Sequence, residues 1–131
     1  MTAITAKFGR PTLAPLRKMT EVECEEFLCS LPGVGKKIAR CVMMYSLEKK
    51  VFPVDTHCWR ISKRLGWIKS NDKHKFCTSR DMDSLQKMIP PKFRLSLHVN
   101  MVSLGRDTCT ARLPKCSSCP LSESCPKIGV N

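Results

Sequence analysis

Leu31-Pro32-Gly33-Val34-Gly35-Lys36-Lys37 is the stretch from which the fold can be read. Upstream of it, Thr20 followed by Glu23 makes a capping box, which predicts a helix from about 21 to 30. Pro32-Gly33 breaks that helix, and a second begins near Gly35 or Lys36, carrying Ile38, Val42 and Tyr45 at helical spacing. The two helices and their short link make a helical hairpin. Glycines at 33 and 35 let the backbone turn sharply and lie flat against a neighbour where a Cβ would clash. The N–H groups freed at the start of the second helix point outward, and their partial positive charge favours an anion. A plain turn between helices also tolerates proline and glycine. The full run from Leu31 to Ala39 is more specific than such a turn requires. Leu31, Gly33, Val34, Gly35 and Lys36 are therefore candidate contacts to a DNA backbone.

Working outward, every confident element is again a helix. Residues 1–19 read as a short helix ending near Phe8-Gly9, then a loop punctuated by Pro11 and Pro15. Pro53 closes the loop after the hairpin, and Asp55 stands as the N-cap of a helix through Ile61 and Leu65 that ends near Gly66. A polar, basic loop is predicted at 67–78, a helix at 80–89 stopped by Pro90-Pro91, and a longer helix at 92–104 before Gly105. The remainder is rich in Cys, Pro and Ser with little periodicity. No convincing strand is found, so the class is all-α. The expected division is 1–19, a helical region 20–105, a cysteine loop 106–126 and a tail 127–131.

Composition narrows the function. The chain of 131 residues is 42% hydrophobic, enough for a core, and carries a net charge of +12. Residues 60–94 hold ten Lys or Arg against three Asp. Such charge can simply be a solvated face, but a pI near 9.6 in a compact domain points to a polyanion partner. No apolar run approaches the ~18 residues of a membrane span, and the first twenty residues lack the apolar stretch of a signal peptide. A cytoplasmic location is expected.

Nine cysteines are many for this length, and their odd number argues against a secreted disulfide scaffold. Cys24, Cys29, Cys41, Cys58 and Cys77 are scattered and read as small buried hydrophobes. The other four follow Cys109-x6-Cys116-x2-Cys119-x5-Cys125. Four clustered thiols serve either zinc or an iron–sulfur cluster. Structural zinc sites usually show two short-spaced pairs, and only one exists here. A [4Fe-4S] cluster is favoured, with zinc as the minor alternative. The loop would present Arg112 and Lys115 to phosphates.

The run Leu31–Ala39 followed by Val54-Asp55-Thr56-His57 resembles the signature of the helix–hairpin–helix, Gly/Pro-rich loop and Asp superfamily of DNA glycosylases. The 6-2-5 cysteine spacing after Gly105-Arg106 is similar to the [4Fe-4S] loop of its endonuclease III-type members. Together the likeness covers about residues 6–126. It implies a helix–hairpin–helix glycosylase fold, a partial helical barrel plus a [4Fe-4S] loop, acting on damaged bases, pyrimidines above all, in double-stranded DNA. It further implies that Lys37, two residues past the second hairpin glycine, is the nucleophile of a bifunctional glycosylase and abasic-site lyase. Asp55, eighteen residues further on, would be the catalytic carboxylate. A lysine is protonated at neutral pH and a poor nucleophile. The cationic Lys36 and Arg40 beside Lys37 are expected to disfavour its charged form.

Two departures bear on that expectation. Family enzymes carry a long further stretch ahead of the hairpin, supplying earlier barrel helices and part of the base pocket. A chain of this span is expected to leave an apolar face to be covered and to be a weak glycosylase by itself. Residues 96–100 read Ser-Leu-His-Val-Asn, where related enzymes often carry paired histidines. The competing expectations are a non-catalytic DNA-binding remnant of such an enzyme and a zinc-stabilised interaction domain.

Overall fold

The computed structural model describes residues 2–69 and 75–131, so part of the basic loop expected at 67–78 lies outside the described residues. Among these every regular element is a helix, which fits the all-α expectation, and none is long and apolar enough to cross a membrane. The chain divides into two compact units, Met1–Pro53 and Val54–Asn131.

In the first unit α1 spans Ala3–Phe8 and ends at Gly9, whose φ of 72° is a left-handed cap. A 3-10 turn, Ala14–Lys18, leads to α2, Glu21–Cys29, and the hairpin leads to α3, Lys36–Tyr45. The capping box forms as read: Thr20 Oγ1 accepts the Glu23 N–H at 3.2 Å and the Glu23 carboxylate accepts the Thr20 N–H at 2.9 Å. α2 packs on α3 around Leu16, Cys24, Leu28, Ala39 and Met43. The Lys49 ammonium donates to the carbonyls of Arg17 and Met19, tying the following loop to the 3-10 turn.

In the second unit α4 spans Thr56–Arg64, α5 Ser79–Met88 and α6 Arg94–Asp107, with 3-10 turns at Pro91–Phe93 and Cys116–Ser118. A second capping box, Thr78 with Asp81, opens α5 and was not read from the sequence. α6 departs from expectation more clearly, because it runs through Gly105 rather than stopping before it. α4 packs against α6, and a Cβ added at Gly105 would lie 2.6–2.9 Å from the His57 side chain. A mid-helix glycine costs about 1 kcal/mol relative to alanine, and here the two helices approach too closely for anything larger.

The five scattered cysteines behave unevenly. Cys24 and Cys58 are fully buried as fillers, Cys41 and Cys77 are half-buried, and Cys29 is exposed at the end of α2. Met43, Met44 and Met101 are core residues, but Met88 lies near the C-terminal end of α5 with half its surface in solvent.

Candidate functional site

The hairpin glycines do different work. Gly33 has φ 76°, the left-handed region, so the turn itself requires it, and the Val34 N–H closes the turn on the Leu31 carbonyl at 3.2 Å. Gly35 has φ −93° and ψ 177°, which any residue adopts, and a Cβ there would meet nothing within 4 Å. Nothing inside the chain calls for glycine at 35. Gly35 is the N-cap of α3, and no side chain caps the helix. The first-turn N–H groups of a helix lack intrahelical partners and carry its positive end. Leu31 and Val34 pack their half-buried side chains against the core, which anchors the turn between the two helices.

The two successive lysines diverge. Lys36 Nζ lies 3.8 Å from Glu25 on α2. The same carboxylate accepts from Arg40 Nε at 2.7 Å, and Arg40 is 3% exposed. The positive neighbours expected to act on Lys37 thus share a carboxylate that sequence reading did not connect to them. Glu25 offsets part of the positive charge of that pair. Lys37 is exposed and has no ion-pair or hydrogen-bond partner among the described residues.

In the second unit Asp55 caps α4, its Oδ1 accepting the Cys58 N–H at 2.8 Å. Burial pushes the Asp55 pKa up, but hydrogen bonds from the Cys58 backbone and thiol and the charges of His57 and His98 outweigh it. The carboxyl is held below its ordinary value and is ionised at neutral pH. Behind it, Cys58 Sγ lies 3.6 Å from His98 Nδ1, both buried, so His98 is a core histidine.

Cys109, Cys116, Cys119 and Cys125 line one pocket and are not joined in disulfides. Among the described residues no three His, Cys, Asp or Glu side chains are arranged to hold a metal ion. The surroundings nevertheless suit one. Arg64, 8% exposed, donates through Nη1 to Cys109 Sγ at 3.0 Å and to the Thr110 carbonyl at 2.8 Å, and through Nη2 to the Ala111 carbonyl at 3.1 Å. Arg60 donates to the carbonyls of Cys109 at 3.0 Å and Gly105 at 2.8 Å. The Lys127 N–H points to Cys125 Sγ at 3.4 Å. A buried arginine and a backbone N–H donating to sulfur are surroundings that suit an anionic, thiolate-bound group. Arg112 and Lys115 are exposed on the loop.

These contacts also correct the reading of the basic stretch 60–94. Arg60 and Arg64 turn inward, Arg94 donates to the carbonyls of Ile89 and Gln86, and Lys63 stacks 3.6 Å over the Trp59 ring. The signal available in the sequence was the spacing of four between residues 60 and 64, which puts both arginines on one face of α4.

No protein-family model matches the chain. Endonuclease III of Buchnera aphidicola is 39% identical over 101 residues, covering 76% of this chain and 44% of that protein. The DNA glycosylase/AP lyase ROS1 of Arabidopsis thaliana is 32% identical over 130 residues, 89% of this chain and 9% of that protein. A solved non-covalent endonuclease III–DNA complex matches 95% of this chain and 53% of its own with a TM-score of 0.71 at 31% identity. The chain is endonuclease III-like. The likeness extends through sequence and helical fold together, and the endonuclease III-like chain spans about half the length of the endonuclease III relatives it matches.

Proposed function

We propose that this chain provides the backbone-gripping and nucleophile-bearing part of a base-excision DNA glycosylase with β-elimination lyase activity at abasic sites in duplex DNA. The observation that carries the reading is Gly35, a glycine with ordinary dihedrals and open space around it, at the uncapped start of α3. A glycine that the chain itself does not need is explained by a surface that must come closer than a Cβ allows. A phosphate against the N–H groups of Gly35 and Lys36 meets that description. Gly33 shapes the turn, Leu31 and Val34 anchor it, and Arg112 and Lys115 add phosphate contacts from the cysteine loop.

Lys37 supplies the amine. At an abasic site the sugar opens to an aldehyde. The Lys37 amine, its proton given up to water, adds to C1′ and water leaves; the resulting imine then loses a C2′ proton to water as the C3′–O bond breaks and the 3′ phosphate departs. Asp55, held ionised, would stabilise the cationic sugar that develops when a base is expelled. Cys109, Cys116, Cys119 and Cys125 would hold a [4Fe-4S] cluster, which when bound cross-links the loop through its iron–sulfur bonds. A cytoplasmic site of action goes with this reading.

Borohydride trapping on abasic duplex DNA tests it. A covalent adduct should form and should vanish in Lys37→Ala, with Asp55→Asn slowing it less. An adduct that survives Lys37→Ala overturns the assignment of the nucleophile, while salt-sensitive DNA binding with no adduct at all favours a non-catalytic module. Anaerobically purified protein should be brown with about four irons per chain. A colourless protein with one zinc would sink the cluster.

A further inference from the structure

The hairpin presents two adjacent lysines, and the proposed reaction uses one. Glu25 on α2 accounts for the selection. Its carboxylate receives Arg40 Nε at 2.7 Å and lies 3.8 Å from Lys36 Nζ, and its side chain is only 21% exposed. Arg40, one turn along α3 from Lys36, is 3% exposed, which fixes the carboxylate in place as an exposed partner would not. Exposed ion pairs are worth little because both ends move and water screens them. Here one end is immobilised by a buried fork, and Lys36, with 22% of its side chain exposed, lies within ion-pair distance of a stationary carboxylate. Lys37, next along the helix, points to solvent and has no such partner among the described residues.

We propose that Glu25 is a positioning residue that holds the Lys36 ammonium against α2, so that Lys37 alone of the two lysines is delivered to DNA. The inference rests on the proposed reading of the hairpin and adds the selection between its amines. It assigns Lys36 a backbone contribution to phosphate binding and removes its side chain from the set of contacts expected from the sequence. It also makes the choice of nucleophile a matter of geometry. Both amines are of the same chemical type, and the carboxylate keeps one of them off the sugar.

The first test needs no DNA. Amine-selective acetylation of the whole chain, read by peptide mass spectrometry, should label Lys36 several-fold more slowly than Lys37. Glu25→Gln should remove most of that difference while the helical spectrum is kept. Equal labelling in the unsubstituted protein, or protection that persists in Glu25→Gln, overturns the latch whatever the protein does to DNA.

The second test reads DNA binding against salt. Releasing Lys36 in Glu25→Gln should steepen the slope of log affinity against log salt by about 0.9, one added phosphate contact. Borohydride adducts in that variant should appear on Lys36 as well as Lys37. Lys36→Met should then flatten the slope by about one contact in the Glu25→Gln background and by much less in the otherwise unsubstituted chain. An equal effect of Lys36→Met in both backgrounds means that Lys36 already touches phosphate, and the proposal fails. Absence of any binding by the unsubstituted chain would count against the glycosylase reading instead, leaving the acetylation result to judge the latch.

Discussion

The hairpin of the first unit and the cysteine loop of the second are each secured by a buried arginine, and the two arginines are satisfied differently. Arg40 beneath the hairpin meets a carboxylate, Glu25, supplied by the neighbouring helix. Arg64 behind the loop meets two carbonyls and the Cys109 sulfur, with no carboxylate bonded to it among the described residues. Burying a charge is costly unless it is paired and hydrogen-bonded. On the hairpin side one carboxylate is shared by two cations, Arg40 and Lys36, so the element keeps a net positive charge, which suits a partner that is an anion. On the loop side Arg64 meets only carbonyls and a sulfur, and the proposed anionic cluster would supply the charge that offsets it.

The largest effect should come from breaking the loop side of this comparison. Arg64→Met removes three charge-assisted contacts from a buried site and should cost roughly 3 kcal/mol, together with most of the iron that the proposed cluster would bring. Arg64→Lys should rescue it poorly, because an ammonium cannot reproduce the fork. Arg40→Met strands Glu25, which is a fifth exposed and keeps Lys36, so its cost should be about 1–2 kcal/mol with iron retained. Thermal melts with iron assays check both, and a larger loss from Arg40→Met would reverse the comparison.

Within the hairpin, Gly33→Ala should cost about 1 kcal/mol of stability, because its left-handed backbone penalises any Cβ. Gly35→Ala should change stability by less than that, since its dihedrals are ordinary and its surroundings open. Both should weaken duplex binding. The informative result is the dissociation of the two properties at 35, and a melt that falls as far for Gly35→Ala as for Gly33→Ala would remove the case for an external contact.

The smallest effect concerns the Asp55 charge. Asparagine caps a helix about as well as aspartate, so Asp55→Asn isolates ionisation. The folded-state pKa is depressed, so the stabilisation is fully present above the unfolded value of about 3.9 and is lost as pH falls through the folded value. Wild type should be slightly more stable than Asp55→Asn at pH 6, with the gap closing as the pH falls through the lowered folded-state value in denaturant titrations. A gap that widens on acidification would contradict the direction of the shift.

Much of the helical layout was legible because its causes are local. Thr20 with Glu23 makes the same capping box wherever the helix goes, Pro32-Gly33 cannot continue a helix, and Asp55 caps the helix that follows it. What escaped reading was pairwise and distant. Gly105 looks like a helix terminator in sequence, and only the presence of His57 against it explains a glycine inside α6. Arg60 and Arg64 looked like part of a DNA-facing charge run, and only the packing of the cysteine loop turns them inward. The motif's spacing separated Lys37 from Lys36 in role, but the carboxylate beside Lys36 comes from the packing of α2 on α3. The sequence by itself determined where helices start and stop and which cysteines could act together, since capping, chirality and spacing act over a few residues. Which charges face outward was decided by tertiary structure alone. A side chain's partner is set by which helix packs beside it, and Glu25 and Lys36 stand eleven positions apart along the chain.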